Sequence, residues 1–341
     1  MSRQPAGGND VLNAAILGLG WWGRTITATL QGSDAVRITA AFDPDPAAAG
    51  FAAQRGLRVL PDFDAVLADP DVGAVILCTP HTLHAEQVRR AAAAGKHVFC
   101  EKPLCLTRAD AVEAIAACRA AGVVLGVGHE RRFEPPVQEL RRMAGAGELG
   151  VLLQVEANFS QDKFLELPAD NWRLSGREAP AGPMTATGIH LLDLAVSLLG
   201  PAERVLANVR QLGSPLANGD TLGALVGFRS GANALISAIL ATPFDGRFAV
   251  YGSKGWAEVR DRNHPERSEG WTLTTSIRGV GKATVDYPPA SAVRLNLEAF
   301  ARAAAGGAPY PMPDEEMLGT IAALEAVFRS AGSGGVEAVE H

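Results

Sequence analysis

Cysteine is scarce in this chain. Cys78, Cys100, Cys105 and Cys118 are the four, and they form neither a CxxC pair nor a Cys/His ligand spacing. Neither a zinc site nor a disulfide framework is expected, and no metal is assigned. Cys78 and Cys100 sit in apolar runs, where a small thiol fills core. Positive charge is short as well: the formal net charge is −6. Phosphate backbones need a basic face, so nucleic acid is excluded as a main partner. No apolar run approaches the roughly 20 residues that span a bilayer, so no membrane is expected. Residues 1–10 lack an apolar h-region and read as a flexible leader, not an export signal, which places the chain in the cytoplasm. No internal repeat is present.

What is there is long and well patterned. At 341 residues, 47% hydrophobic and 20% charged, the chain is globular and exceeds the usual single-core size, so two domains are expected. The first third alternates apolar runs (Ala14–Leu17, Val36–Phe42, Ala74–Cys78, His97–Cys100, Val123–Val127) with helical stretches (24–31, 46–54, 83–94 and 108–121). Continuous apolar strands separated by helices predict a parallel sheet covered on both faces. After Arg131 the texture changes to alternating β segments at 152–159, 204–211, 221–228, 232–240 and 248–251, with helices at 136–143, 188–199, 295–305 and 315–330. The expected fold class is α/β. A doubly wound N-terminal Rossmann domain spans 11–129. An α+β domain with a large, mostly antiparallel open sheet spans 130–331. Residues 332–341 are expected to be a flexible tail.

Gly18-Leu19-Gly20-Trp21-Trp22-Gly23 is a GxGxxG between a strand and a helix. Its glycines serve a tight turn, close approach to a pyrophosphate and close helix packing, and the helix N-terminus offers free N–H groups to the phosphates. Trp21 and Trp22 occupy the variable positions, one packing on the domain and the other edging the cleft. Asp43 ends the second strand, 20 residues past Gly23. An acid there accepts from ribose hydroxyls and repels a 2′-phosphate, which favours NAD over NADP; the plainer role is a cap for the helix after Pro44. Arg24 is the one nearby cation that could reach a phosphate.

Two more segments fall where strands of such a sheet end: Cys78-Thr79-Pro80-His81-Thr82-Leu83-His84 and Glu101-Lys102-Pro103. Together with the glycine loop and Gly188-Ile189-His190-Leu191-Leu192-Asp193, they resemble the glucose–fructose oxidoreductase/inositol dehydrogenase (Gfo/Idh/MocA) family from about Leu12 to about Ser330. The resemblance implies that Thr79 and Pro80 border the nicotinamide, that His84 starts the next helix and contacts the cofactor, that Glu101 contacts cofactor ribose, and that Lys102 also meets the cofactor. It further implies that Lys102 is the proton shuttle, that the bond before Pro103 is cis, and that His190 is a second polar group on the reacting hydroxyl. Lys102 also stands on its own: an amine in apolar surroundings beside a cationic nicotinamide has its pKa lowered into a useful range. One departure is clear. Many relatives carry aspartate four residues before this histidine; here the residue is Ala186, between Thr185 and Thr187. An inositol-like substrate is therefore in question, and without a carboxylate beside it His190 is expected to be mostly neutral at pH 7.

The segments Asn171-Trp172-Arg173 and His129-Glu130-Arg131-Arg132-Phe133 are expected to border the substrate, with Arg131, Trp172, Arg173 and Thr187 beside Lys102 and His190. Arginines suit a carboxylate, so a carboxylated cyclic diol stands beside sugars and polyols. The expected function is NAD-dependent redox exchange at a secondary alcohol of a small hydroxylated ring. The rivals are a glycosidase or lyase acting by transient oxidation, and a non-catalytic NAD-binding regulator. The family also implies a homodimer or homotetramer through the C-terminal sheet, with Val226, Phe228, Leu235 and Ile239 proposed for its free face.

Overall fold

The computed structural model describes residues 11–341; the leader assigned to residues 1–10 lies outside them. The first layer forms as the pattern requires. β1 (Leu12–Leu17), α1 (Trp21–Thr29), β2 (Val36–Phe42), α2 (Pro46–Gln54), β3 (Arg58–Val59), α3 (Phe63–Ala68), β4 (Ala74–Leu77), α4 (His84–Ala93), β5 (His97–Cys100), α5 (Arg108–Ala121) and β6 (Leu125–Val127) follow in turn. Local chemistry sets several ends. Asp45 caps α2 through the N–H of Ala47 with Pro46 in the first turn, and Thr107 caps α5, which stops at left-handed Gly122. The sheet is parallel in the order β3-β2-β1-β4-β5-β6. The order reverses beside β1, and the crevice at the strands' carboxyl ends there is where such sheets bind ligands.

The second layer begins with α6 (Pro135–Gly145), β7 (Leu152–Ser160) and α7 (Ile189–Leu199). It continues through β8 (Ala202–Arg210), β9 (Thr221–Phe228), β10 (Asn233–Ile239), β11 (Asp245–Gly252), β12 (Gly255–Asp261), β13 (Trp271–Ile277) and β14 (Gly281–Tyr287), and closes with α8 (Ala292–Ala304), α9 (Asp314–Ser333) and β15 (Glu337–Ala338). Its sheet has nine strands, β14-β13-β12-β11-β7-β10-β9-β8-β15, antiparallel except where β7 meets β10. One face packs on α7 and α9, and side chains alternate inward and outward along each strand.

Three expectations need correction. Val226 and Phe228 belong to the buried face, against the helices, and not to the free one. The alternation puts their neighbour Leu225 outward, in register with Leu206 and Leu235. The tail does not fray: residues 332–333 complete α9, Glu337–Ala338 pair with β8, and the His341 imidazole bonds the Ala202 carbonyl at 2.7 Å. The linear domain division is also too simple. α8 returns to the first sheet, where Leu297, Phe300 and Ala301 pack on Ala14, Ile16 and Phe99.

Candidate active site

The glycine loop has the geometry its sequence predicts. Gly18 has φ +89°, and a Cβ there would lie 2.6 Å from the Cys78 carbonyl oxygen; one on Gly23 would lie 1.9 Å from the Gly18 oxygen. Gly20 is different: a Cβ on it would meet nothing within 4 Å, so its open side is free for a group outside the protein. No side chain caps α1, so its first-turn N–H groups face the same opening. Asp43 accepts from the Leu19 N–H at 2.5 Å and from the Asp45 N–H at 2.8 Å, which fixes its carboxylate beside the loop. The Arg24 side chain donates to the Leu19 carbonyl and stacks on Phe51. A dinucleotide fits this cradle: Gly20 and α1 would take the pyrophosphate and Asp43 the adenosine ribose.

Beyond the loop lies a cavity of about 380 Å³ between the two sheets. Of the residues expected at the site, Trp21, Trp22, Thr79, His84, Glu101, Lys102, Trp172, Arg173, Thr187 and His190 line it. Gly18, Gly20, Gly23 and Asp43 flank the open groove instead, and Pro80 leads into a short turn at His81–Leu83. His84 is a brace. Fully buried, it sets Nδ1 2.7 Å from the Pro103 carbonyl and Nε2 3.0 Å from the Thr79 carbonyl, its one N–H donating to one of them, between the loops after β4 and β5. Its ring thus braces the loops that border the cavity.

The Lys102–Pro103 bond is cis. The half-buried Lys102 Nζ lies 2.6 Å from the Ala186 carbonyl and 3.3 Å from that of Thr185. Both belong to a wide π turn, Met184–Gly188, that runs into α7 and so sets Lys102 beside His190. Burial lowers the Lys102 pKa, against the pull of Glu130 and Glu101. Burial pushes Glu101 up to about 7, opposed by the Trp22 indole and the Lys102 ammonium. His190 is 4% exposed, and burial with the charges of Lys102, His129 and Arg131 holds it well below the usual imidazole range. The expectation of a neutral His190 agrees with this direction. A strap between β7 and α7 roofs the cavity: Glu178 takes bonds from His81 and Thr82, and Trp172 stands edge-on to His81 at 4.7 Å. Arg173 stacks on Trp172 at 4.2 Å and, among the described residues, pairs with no carboxylate.

Arg131 is a correction. Its guanidinium is 1% exposed, bonded to Asp261 at 2.6 Å and to Glu134, and forms no part of the cavity wall. Arg132 likewise pairs with Asp193 and Glu316. Both arginines fasten the turn after β6 to the second layer. Between that turn and His190 the sequence reading missed a partner: the Glu130 carboxylate lines the cavity, 3.6 Å from His190 Nδ1. Burial and the Glu101 charge push its pKa up to about 8. Phe159, Gln161 and His264 also line the wall. Strand alternation offered a signal for Phe159; none marked His264, which lies in a loop. Among the described residues no cluster of His, Cys, Asp or Glu could hold a metal.

A nucleotide cradle joined to a cavity lined by Lys102, His190, Glu101 and Glu130 is the arrangement of a dinucleotide-dependent oxidoreductase. Comparison with known proteins agrees. Residues 12–129 match the oxidoreductase family with an NAD-binding Rossmann fold, and residues 137–258 match the GFO/IDH/MocA C-terminal domain. The chain belongs to the GFO/IDH/MocA family and is an NAD(P)-dependent oxidoreductase. It is 30% identical to the 1,5-anhydro-D-fructose reductase of Ensifer adhaerens, over 86% of this chain and 87% of the relative. It is 28% identical to D-xylose 1-dehydrogenase (NADP(+)) 2 of Haloferax volcanii, over 91% and 94%. The crystal structure of aldose-aldose oxidoreductase from Caulobacter crescentus, complexed with glycerol, superposes with a TM-score of 0.84 at 28% identity, covering 96% of this chain and all of that one.

Proposed function

We propose that the protein is an NAD-dependent dehydrogenase or reductase of a secondary alcohol on a small hydroxylated ring, a sugar, polyol or cyclic diol. The observation that carries this reading is the seat of Lys102 in the cavity. A neutral amine has two N–H donors and one lone pair. With the donors on the Thr185 and Ala186 carbonyls, the lone pair is left for the proton of a substrate hydroxyl. Bound nicotinamide supplies the acceptor or donor of hydride at its C4. Lys102 takes or returns the hydroxyl proton, and His190 assists by relaying it. Burial lowers the Lys102 pKa, which raises its share of neutral amine. Trp172 and the rest of the strap exclude water. Arg173, unpaired at the wall, suits a carboxylate on the ring. Asp43 supports NAD over NADP. In the same reading the enzyme is cytoplasmic and assembles as a homodimer or homotetramer through the free face of the nine-stranded sheet.

The test is a screen of D-xylose, D-glucose, myo-inositol and a carboxylated cyclic diol with NAD and with NADP, and of 1,5-anhydro-D-fructose with NADH, followed at the NADH band. Net NADH change with one of these supports the reading. Turnover of a glycoside without net NADH would replace it by transient oxidation and elimination. Tight NAD binding with no turnover of either kind would leave a regulator.

A further inference from the structure

We propose that Glu130 is the positioning carboxylate of His190, fixing which of its ring nitrogens carries hydrogen. This rests on the reading of Lys102 and His190 as the proton-handling pair. The argument is geometric. His190 Nδ1 and Glu130 Oε2 are both sealed from solvent, neither has a hydrogen-bond partner, and they face each other at 3.6 Å. Two buried polar groups left unsatisfied are costly, and a small rotation of either side chain satisfies both. The ring's other nitrogen, Nε2, is not among the sealed atoms, and His190 lines the cavity, so Nε2 faces the substrate.

The surroundings hold this pair in place. Glu130 sits on the turn after β6, between His129 and Arg131. The next residue, Arg132, bonds both oxygens of Asp193 at 2.6 and 2.7 Å, and Asp193 lies one turn beyond His190 on α7. A buried two-point ion pair thus locks the turn carrying Glu130 to the helix carrying His190. The titratable and charged groups facing His190 are Glu130, His129 and Arg131 from that turn and Lys102 from the loop after β5; Asp193 is taken up by Arg132. Glu130 is the one carboxylate among them. Ionised, it accepts from Nδ1–H and leaves an Nε2 lone pair that can take on the proton Lys102 removes from the hydroxyl.

The experiment has two arms on the full-length, NAD-loaded enzyme. NMR of selectively ¹⁵N-histidine-labelled protein at pH 9, with His190 assigned by its loss in His190→Asn, reads the tautomer without any substrate. The expected result is Nδ1–H in wild type and a shift toward Nε2–H in Glu130→Ala. In kinetics at pH 9 with the best substrate of the screen, Glu130→Ala should lower kcat by at least about tenfold with little change in KM. Glu130→Gln, which keeps a carbonyl acceptor, should recover most of it. In a His190→Asn background the loss should disappear, as it would not for a merely structural residue. Ala186→Asp should partly rescue Glu130→Ala, since position 186 lies one helical turn before 190. An Nε2–H imidazole in wild type at pH 9 overturns the proposal, and so does a full additive loss in the His190→Asn background. Should Glu130→Ala not fold, the wild-type tautomer and Glu130→Gln decide. Wild-type turnover in both His190→Asn and Lys102→Met would instead overturn the reading of the site, leaving the tautomer arm to judge Glu130 alone.

Discussion

Asp43 already accepts two backbone N–H groups, which hold it at the mouth of the glycine loop. Its remaining lone pairs and its charge then act on the ribose end of a dinucleotide. A 2′-phosphate would meet that charge at close range, and Arg24 is turned to the Leu19 carbonyl and to the Phe51 ring, on which Arg55 also stacks. NAD should exceed NADP in kcat/KM by at least tenfold, about 1.4 kcal/mol; equal use of NADP would mean that Arg24 swings out to the phosphate. The histidines make a second prediction. Burial holds His129 and His264 down to about 4, from an ordinary 6.5. The unfolded chain therefore takes these protons first. Their contribution to stability is complete above pH 6.5 and is lost as pH falls through the window from 6.5 to about 4. Tm measured across that window should fall, and His264→Gln should flatten the fall; an unchanged slope would contradict the assignment.

At the scale of elements, the turn after β6 does more than connect. Arg131 and Arg132 carry it into the second layer, to Asp261 on β12 and Asp193 on α7. Removing one partner of such a buried pair leaves a charge unpaired. Asp193→Ala should cost about 3–5 kcal/mol in urea unfolding, and a loss under 1 kcal/mol would contradict this. The same turn marks where sequence reading stopped. Continuous apolar runs made β1, β2, β4 and β5 legible almost to the residue, whereas the cap of α2 is Asp45 and not Asp43, the candidate the sequence offered. β3 is two exposed residues, and β12 to β14 carry Thr, Lys, Glu and Asp on one side, so neither stretch gave a hydrophobic run to follow. Lys102 and His190 were legible through motifs. Glu130 was not, because its meaning depends on a contact 60 residues away, made by ion pairs that look like surface charges in a sequence. Arg131 was misread for that same reason.

At the scale of the molecule, the nine-stranded sheet leaves one face that no helix among the described residues covers. Leu206, Leu225 and Leu235 form a row across three neighbouring strands and are 41%, 42% and 43% exposed. The row continues through Glu156 to Ala249 and Glu258, with Arg247 bridging the two glutamates. An apolar stripe rimmed by charge suits a second copy of the chain. Light scattering at micromolar concentration should give a dimer or tetramer, and Leu225→Arg should lower the mass; a wild-type monomer would contradict the expectation. The central claim concerns the cavity that the two layers enclose: that the Lys102 amine handles the proton of a substrate alcohol. It is tested most directly by kcat of Lys102→Met on the best substrate of the screen, with NAD affinity measured alongside by fluorescence quenching. The account predicts a fall of at least about 10²-fold with little change in NAD affinity. Turnover near the wild-type rate would contradict it.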